Sequence, residues 1–204
     1  KGAREGVLTF ASGHPGRTGR LYTYAALEFY RDTGYPLIIR RLESLVQTLL
    51  TFSAQSDDFR RIARDNLLAQ QNSLKAFRGF LRGLEDPQLM ARKRSEEEQL
   101  RKAVERDPKL RAEFHCLWEE VAAAYSKYAE FYPRYFLLEQ IATRGSDLLR
   151  IARHVLRYAE EKQKPDAERL REYREAARDS LERELYSPAP VHRQMEEVVL
   201  ADYL

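Results

Sequence analysis

The 204-residue chain has a single cysteine, Cys116, so no internal disulfide can form. That absence leaves the compartment open, because a domain of this size is stable without disulfides in any redox environment. No apolar run approaches the ~20 residues that span a bilayer, which excludes a transmembrane helix. There is no tandem repeat and no low-complexity tract. There is no strand-turn-helix serine elbow and no glycine-rich phosphate loop, so neither a hydrolase nucleophile nor a nucleotide site is written in the chain. An excess of one charge is also missing. The 35 basic and 32 acidic residues leave a net charge of +3, with the signs interspersed and no basic stripe evident. A nucleic-acid-binding bundle, whose affinity would fall steeply with salt, is therefore not expected. The chain carries no signal peptide and begins at Lys1 rather than Met, as expected of a domain excised from a longer parent.

What is present is amphipathic helix. Gly6 to Ser12 (GVLTFAS) is a short apolar, β-prone run, followed by a turn at Gly13-His14-Pro15-Gly16-Arg17-Thr18. No second strand follows, and one strand cannot make a sheet, so this one is expected to belong to an absent β-domain. From Leu21 onward the pattern is helical. A first helix stops at Gly34-Tyr35-Pro36. A second carries Ile38, Leu42, Leu45, Val46, Leu49 and Leu50 at spacings of three and four. Asp57 and Asp58 are read as the cap of a long third helix reaching Leu84. A polar outer helix runs to Arg106. Another starts at Lys109 and is kinked or ended by Pro133. The next, capped at Gly145-Ser146-Asp147, carries Leu148, Ala152, Val155 and Ala159. A charged helix from Pro165-Asp166 reaches Leu185, and a short last one holds Met195, Val198 and Val199. The expectation is an all-α fold: an antiparallel multi-helix bundle over 21–204, led in by the strand and turn of 1–20.

Few residues invite chemistry. His115 and Cys116 are neighbours on a helix and point about 100° apart, so they chelate poorly. His192 and Glu196 could share a face as a surface contact, but a metal site needs three or four ligands, so no metal and no cofactor is expected. The charge runs at Arg92–Glu98 and Glu168–Arg174 read as solvated faces. The aromatic segment from Tyr125 to Phe136 reads as bundle core, with a wet tyrosine-lined cleft as the alternative. The third helix is the most informative. Opposite its large residues runs a stripe of Ala69, Asn72, Ala76, Gly79 and Gly83 at spacings of three and four. Each glycine inside a helix costs roughly 1 kcal/mol relative to alanine, so something is expected to approach this backbone closely. Tight packing of another helix, with Asn72 as a buried hydrogen-bonding residue, accounts for the pattern. So does a groove in which Asn72 meets a ligand.

The passage LTFASGHPGRTGRLYTYAALEFYRDTGYP (Leu8 to Pro36) resembles a junction found in the bacterial dipeptidyl-peptidases of the seven and eleven types, serine peptidase family forty-six. There a strand leads into a G-x-P-G turn, then Thr and Arg, then a helix; Gly13, Pro15, Gly16, Thr18 and Arg20 match. His14 stands where Asn or Tyr is usual and has no assigned role. The segment from Asn72 to Leu110 and LWEEVAAAY around Trp118 are also similar to that family's helical domain. The resemblance is specific from about Leu8 to Tyr125 and covers the cap alone.

It implies a double β-barrel peptidase domain of chymotrypsin type, absent here, whose active site the helices cap. It implies release of dipeptides from peptide N-termini in the periplasm or at the cell surface. It makes this chain inactive by itself. It also implies a cap asparagine that helps hold the substrate's α-amino group, and Asn72 is the candidate. The partners implied are the peptide and the missing barrels, with neither nucleic acid nor membrane, and a homodimeric parent is allowed. Nothing separates acidic from hydrophobic preference at the second substrate residue. The alternative is a free-standing helical interaction or scaffold protein, in which Asn72 is packed against a neighbouring helix and Gly6–Ser12 makes no sheet contact.

Overall fold

A computed structural model describes residue 2 and residues 4–10, 12–13, 19, 21–141 and 145–204, the side chain of Ile141 excepted. The expected turn at His14–Thr18, Arg20 beyond it and Ala11 within the expected strand lie outside the described residues. The described residues are helical with no strand, in agreement with an all-α domain. Val7, Leu8 and Phe10 are exposed and carry no regular structure.

Helix α1 spans Tyr24–Phe29, with Thr23 Oγ1 accepting from the Ala26 N–H at its start. The expected stop at Gly34-Pro36 is instead a widened turn. Pro36 has no N–H for the usual i→i−4 bond. Residues Tyr30–Gly34 form a π-helical turn, in which the Tyr35 N–H reaches back five residues to the Tyr30 carbonyl. The chain then continues directly into α2, Tyr35–Ser53.

Helix α3, Asp57–Leu84, folds back along α2. Its cap is Ser56, whose hydroxyl accepts from the Phe59 N–H at 3.1 Å. Asp57 and Asp58 occupy the first turn, where a carboxylate meets the positive end of the helix dipole. Asp86 with Pro87 starts α4, Pro87–Arg106, and Asp107 with Pro108 starts α5, Pro108–Phe114. The helix expected to run unbroken from Lys109 is interrupted at His115-Cys116. It resumes as α6, Leu117–Tyr135, which passes through Pro133 into a second π-helical turn at Phe136–Ile141.

Helix α7, Asp147–Glu161, is capped by Ser146. The helix expected from Pro165 to Leu185 is realised only as α8, Arg178–Leu185; ahead of it come three short 3-10 turns. Side chains compete with the helical ladder there. The Leu170 N–H donates to Glu161 Oε2 at 2.8 Å and the Glu175 N–H to Asp166 Oδ1 at 2.8 Å. The Arg169 and Arg174 guanidinium groups take up the carbonyls of Lys164, Ala167 and Arg169. Helix α9, Arg193–Tyr203, closes the chain against α2.

The main core joins α2, α3 and α9. Leu45, Leu49, Phe52, Ala63 and Val199 are buried together, with Phe59 stacked on Phe52 at 4.4 Å. Each fully buried large side chain of this kind contributes about 1.5–3 kcal/mol. A second cluster seats Phe29 against Tyr132 and Phe136, with Tyr125 and Tyr128 partly buried beside them, so one face of the aromatic segment is core. Phe131 and Tyr135 remain exposed.

Helix α7 departs most from expectation. Its apolar stripe of Leu148, Ala152, Val155 and Ala159 faces outward, with Val155 53% and Leu156 68% exposed. Its polar side is the one that docks. Arg153 and Arg157 both pair with Glu139, His154 Nδ1 lies 3.1 Å from the Tyr173 hydroxyl, and Glu161 is buried.

Candidate functional site

Helix α3 divides two environments around its circumference. Ala63, Leu67, Leu74 and Leu81 pack on α2. About 100° away, Ser73, Phe77 and Phe80 line a cavity of about 900 Å³. Facing them are Tyr30 and Tyr35 from the π turn and α2, Tyr128 and Tyr132 from α6, and Tyr22 from the chain entering α1. The π turn brings Tyr30 and Tyr35 onto one wall, stacked at 5.1 Å. Tyr35 also meets Phe77 at 5.6 Å and Phe80 at 5.9 Å.

Phenols that line this cavity are held in their neutral form. Burial pushes the Tyr30 phenol well above the ordinary value, reinforced by Tyr125 and Tyr22. Burial raises Tyr35 too and carries Tyr132 up to about 12. All three stay neutral at physiological pH. No hydrogen bond among the described residues joins a serine or cysteine to a histidine. Polar side chains that line the cavity include Arg41, Gln70, Ser73 and Gln140. Arg41 is committed to Asp202 of α9 through Nη1, while its Nε and Nη2 are buried without a hydrogen-bond partner among the described residues. Asp202 also accepts from Ser44 at 2.5 Å and Thr48 at 3.1 Å. Burial pushes the Asp202 carboxyl up, but these hydrogen bonds and the Arg41 charge outweigh it and leave it below the ordinary value.

Asn72 lies outside the cavity wall. It is exposed, with no side-chain hydrogen bond, on the strip of α3 between the cavity edge and open solvent. Of the rest of its stripe, Ala69 and Ala76 lie outside the wall as well, whereas Gly79 and Gly83 line the cavity. Ala69, Ala76 and Gly79 are exposed, and a Cβ built on Gly79 would meet nothing within 4 Å. On Gly83 it would only touch Leu89, at 3.9 Å. No helix of this chain takes the close approach that the small residues permit, so the tight-packing explanation fails within the described residues.

The remaining candidates scatter. Cys116 is exposed and His115 does not line the cavity. His192 and Glu196 share no side-chain contact. Glu196 is 2% exposed and turns to the start of α7, accepting from the Ser146 hydroxyl and from the Asp147 and Leu148 N–H groups at 3.0 and 3.3 Å. Glu97, inside a charge run read as a solvated face, accepts the Tyr24 N–H of α1 at 2.5 Å. Among the described residues no group of three or more metal-ligating side chains comes together, and no helix is long and apolar enough to cross a membrane.

Fold and site together define a helical domain with an aromatic cavity beside an unpacked small-residue strip. The chain belongs to the Peptidase S46 family, which it matches over residues 1–204. It is 28% identical over 174 residues to the Asp/Glu-specific dipeptidyl-peptidase of Shewanella putrefaciens (strain CN-32 / ATCC BAA-453). That match takes in 85% of this chain and 23% of the relative, so the chain spans about a quarter of the relative's length. No solved structure matches it.

Proposed function

We propose that this chain is the helical cap of a serine dipeptidyl-peptidase that removes dipeptides from peptide N-termini, and that the open strip of α3 borders the substrate cleft. The carrying observation is that strip: Ala69, Asn72, Ala76 and Gly79 are small, aligned, exposed and unmatched by any partner among the described residues. A scaffold reading asks for Asn72 packed against another helix, and Asn72 is exposed. Two further surfaces fit a domain that rests on more protein. The outward stripe of α7 leaves Val155 and Leu156 in water, and Val7, Leu8 and Phe10 are exposed at the chain's start. In this reading Val7–Phe10 pair with a sheet of the parent, residues 1–20 lead in from the peptidase domain, and 21–204 form the cap. The catalytic serine lies in that other domain, and the isolated cap is inactive. The parent works in the periplasm or at the cell surface.

An exopeptidase must hold a cationic N-terminus at a fixed distance from its nucleophile. The amide oxygen of Asn72 can accept from that ammonium, and cap closure would exclude water from the cleft. The test is dipeptide release by the full-length parent with Asn72→Ala, beginning with acidic peptides because the relative is Asp/Glu-specific. Loss of a charge-assisted bond of about 1.5–3 kcal/mol lowers kcat/KM by about ten- to a hundredfold. Asn72→Asp, which keeps an acceptor, retains more activity. An active parent with unchanged kinetics returns Asn72 to a surface position, and a parent that releases no dipeptide at all favours the scaffold reading.

A further inference from the structure

The charges of this domain are balanced overall but not on α3. Between Asn66 and Leu84 the helix has Lys75, Arg78 and Arg82 and no acid. Spacings of three and four put these on one face, and Arg64, with Asp65 next to it in the chain, extends the same face by about three turns. All four are exposed. Glu43 of α2 holds Arg78 at 2.6 Å. Arg64, Lys75 and Arg82 enter no ion pair among the described residues. The stripe is roughly 27 Å long at 1.5 Å per residue. Lys75 and Arg82 are roughly 10 Å apart along the axis, about one screening length at 0.1 M salt, so their fields combine best at low ionic strength. The stripe adjoins Asn72, which is roughly 60–80° around the helix from Lys75 and Arg82.

Given the proposed placement of α3 at the cleft, we infer that this basic stripe steers acidic peptides into the site. Carboxylates beyond the cleaved dipeptide are the groups it meets, and the long-range attraction raises the encounter rate without entering the chemical step. The only chemistry it asks of its partner is negative charge on an extended chain. It needs no specificity pocket in the cap.

The experiment compares the full-length enzyme with its Arg64→Gln/Lys75→Gln/Arg82→Gln variant on two peptides. Both release the same dipeptide, and they differ only in a downstream tail of glutamates or glutamines. At low ionic strength kcat/KM on the glutamate tail falls about three- to tenfold in the variant, with kcat unchanged, and the difference closes as salt is raised. The glutamine tail shows no such loss, and Lys75→Glu/Arg82→Glu deepens the effect on the glutamate tail alone. Equal loss on both tails, or a loss that salt does not remove, overturns the inference and makes the stripe a contact with the rest of the parent. No loss on either tail overturns it outright. An active parent that is sensitive to Asn72→Ala but blind to the tail loses this inference alone, whereas a parent releasing no dipeptide loses both readings.

Discussion

Glu196 and Glu97 are carboxylates that serve helices remote in sequence. Glu196, on α9, bonds the first N–H groups of α7 and the hydroxyl of its cap, Ser146. Glu97, on α4, bonds the Tyr24 N–H at the start of α1. Each places a negative charge on the positive end of a helix dipole and satisfies donors that have no partner inside the helix. Replacing Glu196 with Ala leaves the buried Ser146 hydroxyl and the two part-buried N–H groups without this acceptor and should destabilise this chain by about 1–3 kcal/mol, a fall in Tm of roughly 2–4 °C per kcal/mol in thermal unfolding. Glu196→Gln, which keeps an acceptor, should lose less. Neither role was legible in the sequence. Local spacing suggested a His192–Glu196 pair and a solvated run around Glu97, because a periodic pattern carries no information about partners many residues away. Asn72 was legible as a candidate, since the stripe of small residues around it is a local pattern. Its openness was not, because the same spacing serves a packed helix.

At the scale of elements, most helices and their buried faces could be read from the 3.6-residue period, α2 and α3 above all. The failures have separate causes. Pro36 signalled a stop, but a π turn absorbed its missing N–H. Between Pro165 and Ala177, charged side chains captured backbone groups and replaced one helix with 3-10 turns. In α7 the stripe was identified correctly and its direction was not. The strongest apolar periodicity faces outward, while Arg153, Arg157 and His154 anchor the helix. Amphipathicity shows that a face wants cover, not whether this chain supplies it. Helix α9 docks through Asp202, whose carboxyl is held below its ordinary value of 3.8. A depressed folded value stabilises the charged form, so this contribution is complete above the unfolded value and is lost as pH falls through the folded one. Urea unfolding between about pH 6 and pH 3 should show the wild-type chain losing more stability with acid than Asp202→Asn does, a difference confined to the region below 3.8. Parallel pH profiles for the two proteins would deny Asp202 this role.

Taken whole, the described residues form a helical domain whose main core lies around α2, α3 and α9, and its uncovered surfaces include the chain start, the outer side of α7 and the small-residue strip of α3. The first two are apolar and fit contacts with further protein. The third borders an aromatic cavity and carries Asn72, the acceptor proposed for a peptide ammonium. That division suits a Peptidase S46 chain matching about a quarter of a dipeptidyl-peptidase. The central claim, that the α3 strip faces the substrate, is tested most directly by chemical footprinting in the full-length parent. Cys116 is replaced by Ser, and other reactive thiols in the parent likewise, before Ala76→Cys is introduced on the exposed strip. Its alkylation rate is then measured with and without a saturating dipeptide product. The account predicts that the dipeptide slows alkylation at position 76 severalfold, while a cysteine placed at Ala152 on the outer side of α7 shows no such dependence. Equal rates at position 76 with and without the dipeptide would contradict it.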